Sequence, residues 1–94
     1  MSAGPLSDET RPRLPRGVRL RHDSVRGEWH LLAPERVVQP NGPAVEILKR
    51  CDGERTLQAI VDDLATTFSA DRALIDRDVR ALLADLVAKR MVDV

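Results

Sequence analysis

One stretch of sixteen residues constrains this chain more than any other: Asn41 to Thr56, NGPAVEILKRCDGERT, holds a helix start, a short amphipathic helix, a stop and a second helix start. Asn41 is a strong cap because its side-chain oxygen accepts from an unpaired first-turn amide, and Pro43 fits that turn because its missing donor has no partner there. Ala44, Ile47, Leu48 and Cys51 then fall on one face at i, i+3, i+4 and i+7. Lys49 and Arg50 follow in the expected last turn, favourably placed against the negative helix end, and Gly53 supplies a residue able to take a left-handed stop. Thr56 caps the next helix. Capping, packing and turning account for every one of these residues, so the stretch builds a scaffold and carries no catalytic chemistry.

The flanks extend the pattern in both directions. Downstream, Leu57, Ile60, Val61, Leu64, Ala65 and Phe68 keep helical spacing, and after a break at Ser69 to Asp71 a third helix runs to about Lys89. Its stripe is Ile75, Val79, Leu82, Leu83, Leu86 and Val87, with Ser69 or Asp71 as its cap. Met91 to Val94 are expected either to add a terminal strand or to fray. Upstream the period changes to two: Val18, Leu20 and His22 alternate with Arg19, Arg21 and Asp23, the mark of a half-buried strand. Asp23 to Gly27 supplies a turn, Glu28 to Ala33 the returning strand, and Glu35 to Gln39 a third strand bounded by Pro34 and Pro40. The expected fold is therefore α+β and winged-helix-like, a three-stranded antiparallel N-terminal sheet followed by three helices. Residues 1–16, rich in proline and without apolar period, are expected to be a disordered tail or linker, leaving 17–94 as the domain.

Charge and chemistry narrow the function. Ninety-four residues allow one domain, and Lys plus Arg balance Asp plus Glu at 15 each, which removes the positive field a nucleic-acid binder uses. A helix-turn-helix reading remains the alternative, a winged-helix DNA-binding regulator. Against it, Arg72, Arg77 and Arg80 on the third helix are interleaved with Asp71, Asp76, Asp78 and Asp85. The single Cys51 excludes an internal disulfide, and on an apolar helix face it reads as a small buried hydrophobe rather than a nucleophile. His22 and His30 lie on adjacent strands, but two ligands do not make a metal site, and Asp62 and Asp63 point about 100° apart and read as a solvated face. No metal, cofactor or catalytic residue is expected. Neither a signal peptide nor a membrane-spanning run is evident, so the expected location is the cytoplasm, without membrane partners.

Binding is left as the function. If Arg36, Val37, Val38 and Gln39 form an edge strand, an extended peptide can add to it. Each added backbone hydrogen bond is worth about 0.5–1.5 kcal/mol net and carries no sequence information, so specificity falls to the facing helix. Arg77, Arg80, Ala81, Leu83 and Ala84 are the candidates there: the small residues leave space and the arginines suit acidic peptide residues.

Taken together, Leu31-Leu32-Ala33-Pro34-Glu35, Asn41, Ala44, Ile47-Leu48, Asp52-Gly53, Arg55-Thr56, Ile60 and Asp78-Val79 occur in an order and spacing that resembles the PqqD family over roughly Pro15 to Val94. Pro40 departs from the leucine more usual before the asparagine, and Met91 from the tryptophan of some members. The resemblance implies a non-catalytic peptide chaperone of pyrroloquinoline quinone (PQQ) biosynthesis, a precursor-peptide recognition element. It implies that the precursor peptide PqqA lies as an added strand on the third strand, under the third helix. It further implies delivery of PqqA to the radical S-adenosylmethionine enzyme PqqE, and fusion or association with PqqC, for which the N-terminal segment would be a linker.

Overall fold

The computed structural model describes residues 6–94. Strands β1 (Arg19–Asp23), β2 (Glu28–Ala33) and β3 (Arg36–Val38) form one antiparallel sheet in the order β1-β2-β3. Helices α1 (Gly42–Leu48), α2 (Leu57–Thr67) and α3 (Arg72–Ala88) follow. The register places Leu20 opposite Leu31 and Leu31 opposite Val38, so one apolar row crosses all three strands and faces the helices. His22 lies opposite Trp29 and stacks on it with ring centroids 4.7 Å apart, while Lys49 sits 5.0 Å above the same indole. His30 is on the other face, beside Glu28, so the two histidines do not converge.

The caps form as the residue types require. Asn41 accepts from the Ala44 amide at 2.9 Å, Thr56 from Ala59 at 3.1 Å, and Asp71 from Ala73 at 2.9 Å. Asp71 is thus the α3 cap, whereas Ser69 takes a left-handed conformation (φ 50°) just past α2. The core is built from Leu31, from Ile47, Leu48 and Cys51, from Leu57, Ile60, Val61 and Leu64, and from Val79, Leu83 and Leu86. Met91 and Val92 complete it, each only 1% exposed. The C-terminus therefore does not fray. Arg90 turns left-handed (φ 62°) while Met91 donates back to Leu86 at 2.8 Å, a helix-terminating turn that drops the next two side chains into the core.

Three expectations need correction. Residues 6–16, expected to lie outside the domain, form a strap across it: Asp8 and Thr10 carbonyls accept from Gln58 and Leu57, Pro12 from Gly53, and Arg13 exchanges backbone bonds with Asp93. Pro12 is fully buried. A segment without apolar period orders here because its carbonyls satisfy the unpaired amides at the start of α2. Residues 1–5 lie outside the described residues.

Gly53 is not the stop of α1, which ends at Leu48 with Lys49 as its cap, so Lys49 and Arg50 stand beyond the last turn. Gly53 is left-handed (φ 79°) in the following turn, where a Cβ would meet the Arg13 Cβ at 3.2 Å. Its role is to let the strap pass.

Asp62 and Asp63 do reach solvent, but they are not the free charges of a plain solvated face. Asp63 accepts from Arg50 Nε at 2.6 Å and ties α1 to α2, while Asp62 accepts from Arg72 and ties α2 to α3. The Arg50 guanidinium holds the Asp63 carboxyl below the usual carboxylate range, and Asp63 in turn raises Arg50.

Candidate functional site

β3 is an edge strand among the described residues: β2 pairs with one side of it, and no described helix packs extensively along it. Where the strand ends, Val38 turns through Gln39 and Pro40 into the start of α1. There Gly42, Pro43 and Ile47 form one wall of a groove of about 470 Å³. Ile75 and Val79 of α3 form the other wall, and Leu64 and Phe68 of α2 close the floor, with Glu46 and Asp78 at the polar rim. Phe68, expected in the buried stripe of α2, is instead 53% exposed because it caps the helix at the groove mouth. The lining is mostly apolar. It is the kind of surface that takes an apolar side chain while an adjacent strand edge takes backbone hydrogen bonds.

The residues singled out from sequence divide into two sets. Arg36, Val37 and Val38 form β3 and Gln39 follows it directly. Val38 is half-buried on the helix-facing side, whereas Val37 is 63% exposed on the other side. On α3 the placement differs from expectation. Leu83 is fully buried in the core and presents no surface. Arg80 donates to Asp76 at 2.7 Å, to the Leu6 carbonyl and to Asp8, so it holds the strap. Those carboxylates, Asp76 first, raise its pKa further. Arg77 is exposed beside Asp78 at 3.6 Å, and Ala81 and Ala84 are exposed; none of these lines the apolar groove. The helix residues that do line it, Ile75, Asp78 and Val79, were legible as stripe and rim but not as a site.

Cys51 offers no reactive thiol. It is buried and donates to the Ile47 carbonyl at 3.4 Å, and burial, with Asp52 nearby, pushes its pKa up to about 12. The three α3 arginines that a DNA reader would present, Arg72, Arg77 and Arg80, each face a carboxylate of the same domain.

With the sheet, helices and groove in place, the comparisons with known proteins become specific. The sequence profile of the family described as Coenzyme PQQ synthesis protein D (PqqD) matches residues 28–92, which span β2, the free edge and all three helices. The chain belongs to the PqqD family. A PqqA binding protein of Rhodopseudomonas palustris (strain BisB5) is 54% identical over 84 residues, covering 89% of this chain and 82% of the relative. A bifunctional coenzyme PQQ synthesis protein C/D of Methylorubrum extorquens (strain AM1) is 48% identical over 82 residues, which cover 87% of this chain but 22% of that one. In that PqqD relative the domain is therefore one part of a larger fused chain.

Two solved PqqD structures share the fold. The solution structure of the PqqD truncation of Methylobacterium extorquens PqqCD, described as a functional and stand-alone RiPP (ribosomally synthesised and post-translationally modified peptide) recognition element, superposes with a TM-score of 0.81. It is 45% identical, and 95% of each chain is covered. The crystal structure of PqqD from Xanthomonas campestris gives 0.62 at 42% identity, over 95% of this chain and 99% of that one.

Proposed function

We propose that this PqqD-family protein is a non-catalytic chaperone of PQQ biosynthesis that binds the precursor peptide PqqA as an added strand on β3 and presents it to PqqE. One observation carries the reading: β3, paired on one side by β2, leads through Gln39 and Pro40 into the first turn of α1, which lines an apolar groove shared with α3. An edge alone binds any extended chain, and a groove alone binds any apolar group. Their junction selects an extended peptide with an apolar side chain at a set position. Relatives named as PqqA binding proteins support the identity of that peptide.

In this reading Arg36 to Gln39 supply backbone pairing, and Ile75, Asp78 and Val79 replace Arg77, Arg80, Ala81, Leu83 and Ala84 as the helix residues in contact. Presentation works by effective concentration. A peptide held beside PqqE meets the enzyme as a neighbour rather than by diffusion. The test is calorimetric titration of the chain with PqqA and with a scrambled PqqA of equal composition. Saturable binding of PqqA alone supports the reading, and equal binding of both peptides, or of neither, contradicts it.

A further inference from the structure

At the opposite end of β3 from the apolar groove lies a second pocket of about 320 Å³, where Arg16, Arg36, Lys89 and Arg90 meet with Glu35 as the only carboxylate among the lining residues. Lys89 pairs with Asp85, but among the described residues Arg16, Arg36 and Arg90 have no ion-pair partner. Elsewhere among the described residues Arg13, Arg50, Arg55, Arg72, Arg77 and Arg80 are ion-paired, whereas Arg11, Arg19, Arg21 and Arg26 are not. Of the arginines without an ion-pair partner, Arg16, Arg36 and Arg90 line one pocket, at the end of the sheet where β3 begins.

All three stand on fixed backbone. Arg36 is in β3, on the same helix-facing side as Val38. Arg16 sits in a turn closed by the Val18 amide on the Pro15 carbonyl at 3.0 Å. Arg90 holds a left-handed conformation (φ 62°) that glycine adopts without strain and an arginine does not. An arginine at a position shaped for glycine is a local cost that a binding role explains.

We infer that Arg16, Arg36 and Arg90 form a carboxylate-binding subsite, reading an acidic side chain of the peptide whose apolar side chain fills the groove. This rests on the proposed function above. The spacing follows from α3: Val79 lines the groove and Lys89 the cationic pocket. Ten residues of helix span about 15 Å, which an extended peptide covers in about four to five residues. Both side chains must point to the helix side of the added strand, and strand alternation selects the even spacing of about four. The cations carry long-range attraction and the groove carries burial, so the two subsites together set the register of the peptide on β3.

The experiment compares the wild-type chain with Arg90→Gly, Arg36→Glu/Arg90→Gly and the remote control Arg26→Glu in titrations with the PqqA peptide of Rhodopseudomonas palustris. Single acidic-to-amide variants of the same peptide complete the set. Arg90→Gly is expected to fold with unchanged or higher stability yet bind more weakly. The double variant is expected to lose roughly tenfold in affinity at low salt, with Arg26→Glu close to wild type. One acidic-to-amide peptide is expected to lose a similar factor against the wild-type chain and nothing further against the double variant. Wild-type affinity in the folded double variant, or an equal loss in Arg26→Glu, overturns the subsite alone. A wild-type chain that binds no PqqA overturns the proposed function, and the subsite with it.

Discussion

Arg80 of α3 is bound to Asp8, 72 positions earlier in the chain, through the same guanidinium that it offers to Asp76 one helical turn away. This three-residue cluster fastens the start of the strap to the longest helix, and it takes out of use an arginine that stands where a ligand-binding cation was expected. The strap then runs along the start of α2 to Gly53 and Asp93. It is part of the fold.

Removing residues 1–13 is therefore expected to destabilise the domain. The truncation deletes the backbone bonds to Gly53, Leu57, Gln58 and Asp93 and uncovers the site filled by Pro12. At about 0.5–1.5 kcal/mol per bond plus the lost burial, the expected loss is about 3–5 kcal/mol in urea denaturation. Asp8→Ala alone, at a partly exposed pair, is expected to cost about 1 kcal/mol or less.

Gly53→Ala is expected to destabilise by about 1–2 kcal/mol, because the residue must keep a left-handed φ while its new Cβ presses on Arg13. A matched Gly42→Ala, where nothing lies within 4 Å of the added carbon, is expected to be nearly neutral in the same melts.

Cys51 is expected to resist a maleimide at neutral pH in the folded protein and to react readily in denaturing urea. Its thiol is buried, and with a pKa near 12 the reactive thiolate is scarce. Mass spectrometry of the two reactions reads the difference directly.

Stability is expected to fall on the acid side through carboxylates held by arginines. Arg50 lowers Glu46 and Asp63, and backbone amides of Arg55 and Glu54 lower Asp52. A carboxyl with a depressed folded pKa stabilises the protein above its unfolded value, about pH 4, and that contribution disappears as pH falls through the lower folded value. Asp63→Asn is expected to reduce stability at pH 7 and to flatten its decline below about pH 4. Melts across pH 2–7, a range of about five units, check both ends.

Much of this architecture was legible because local chemistry dictated it. The caps at Asn41 and Thr56, the period-two strands and the buried faces of α1 and α2 all follow from residue type at short range. What escaped depended on distant partners. Nothing local in residues 6–16 says that their carbonyls will meet the amides of α2. Nothing near Arg80 points to Asp8.

The site was legible in half. β3 was visible as a short strand bounded by Pro34 and Pro40. The helix residues opposite it depended on how α3 rotates against the core. Burial of Val79, Leu83 and Leu86 turns Ile75 and Asp78 toward the groove and leaves Arg77, Ala81 and Ala84 in solvent. Helical periodicity identifies the apolar face, but which flank of it borders β3 is a tertiary fact.

Whether PqqA adds to β3 as a fourth strand is answered by amide-resolved titration of the isotopically labelled chain with PqqA. Shifts are expected to concentrate in Arg36 to Gln39 and in Ile75, Asp78 and Val79, with outward-pointing amides of β3 gaining protection from solvent exchange. Saturable binding that leaves residues 36–39 unmoved and perturbs only surfaces away from the groove would contradict strand addition.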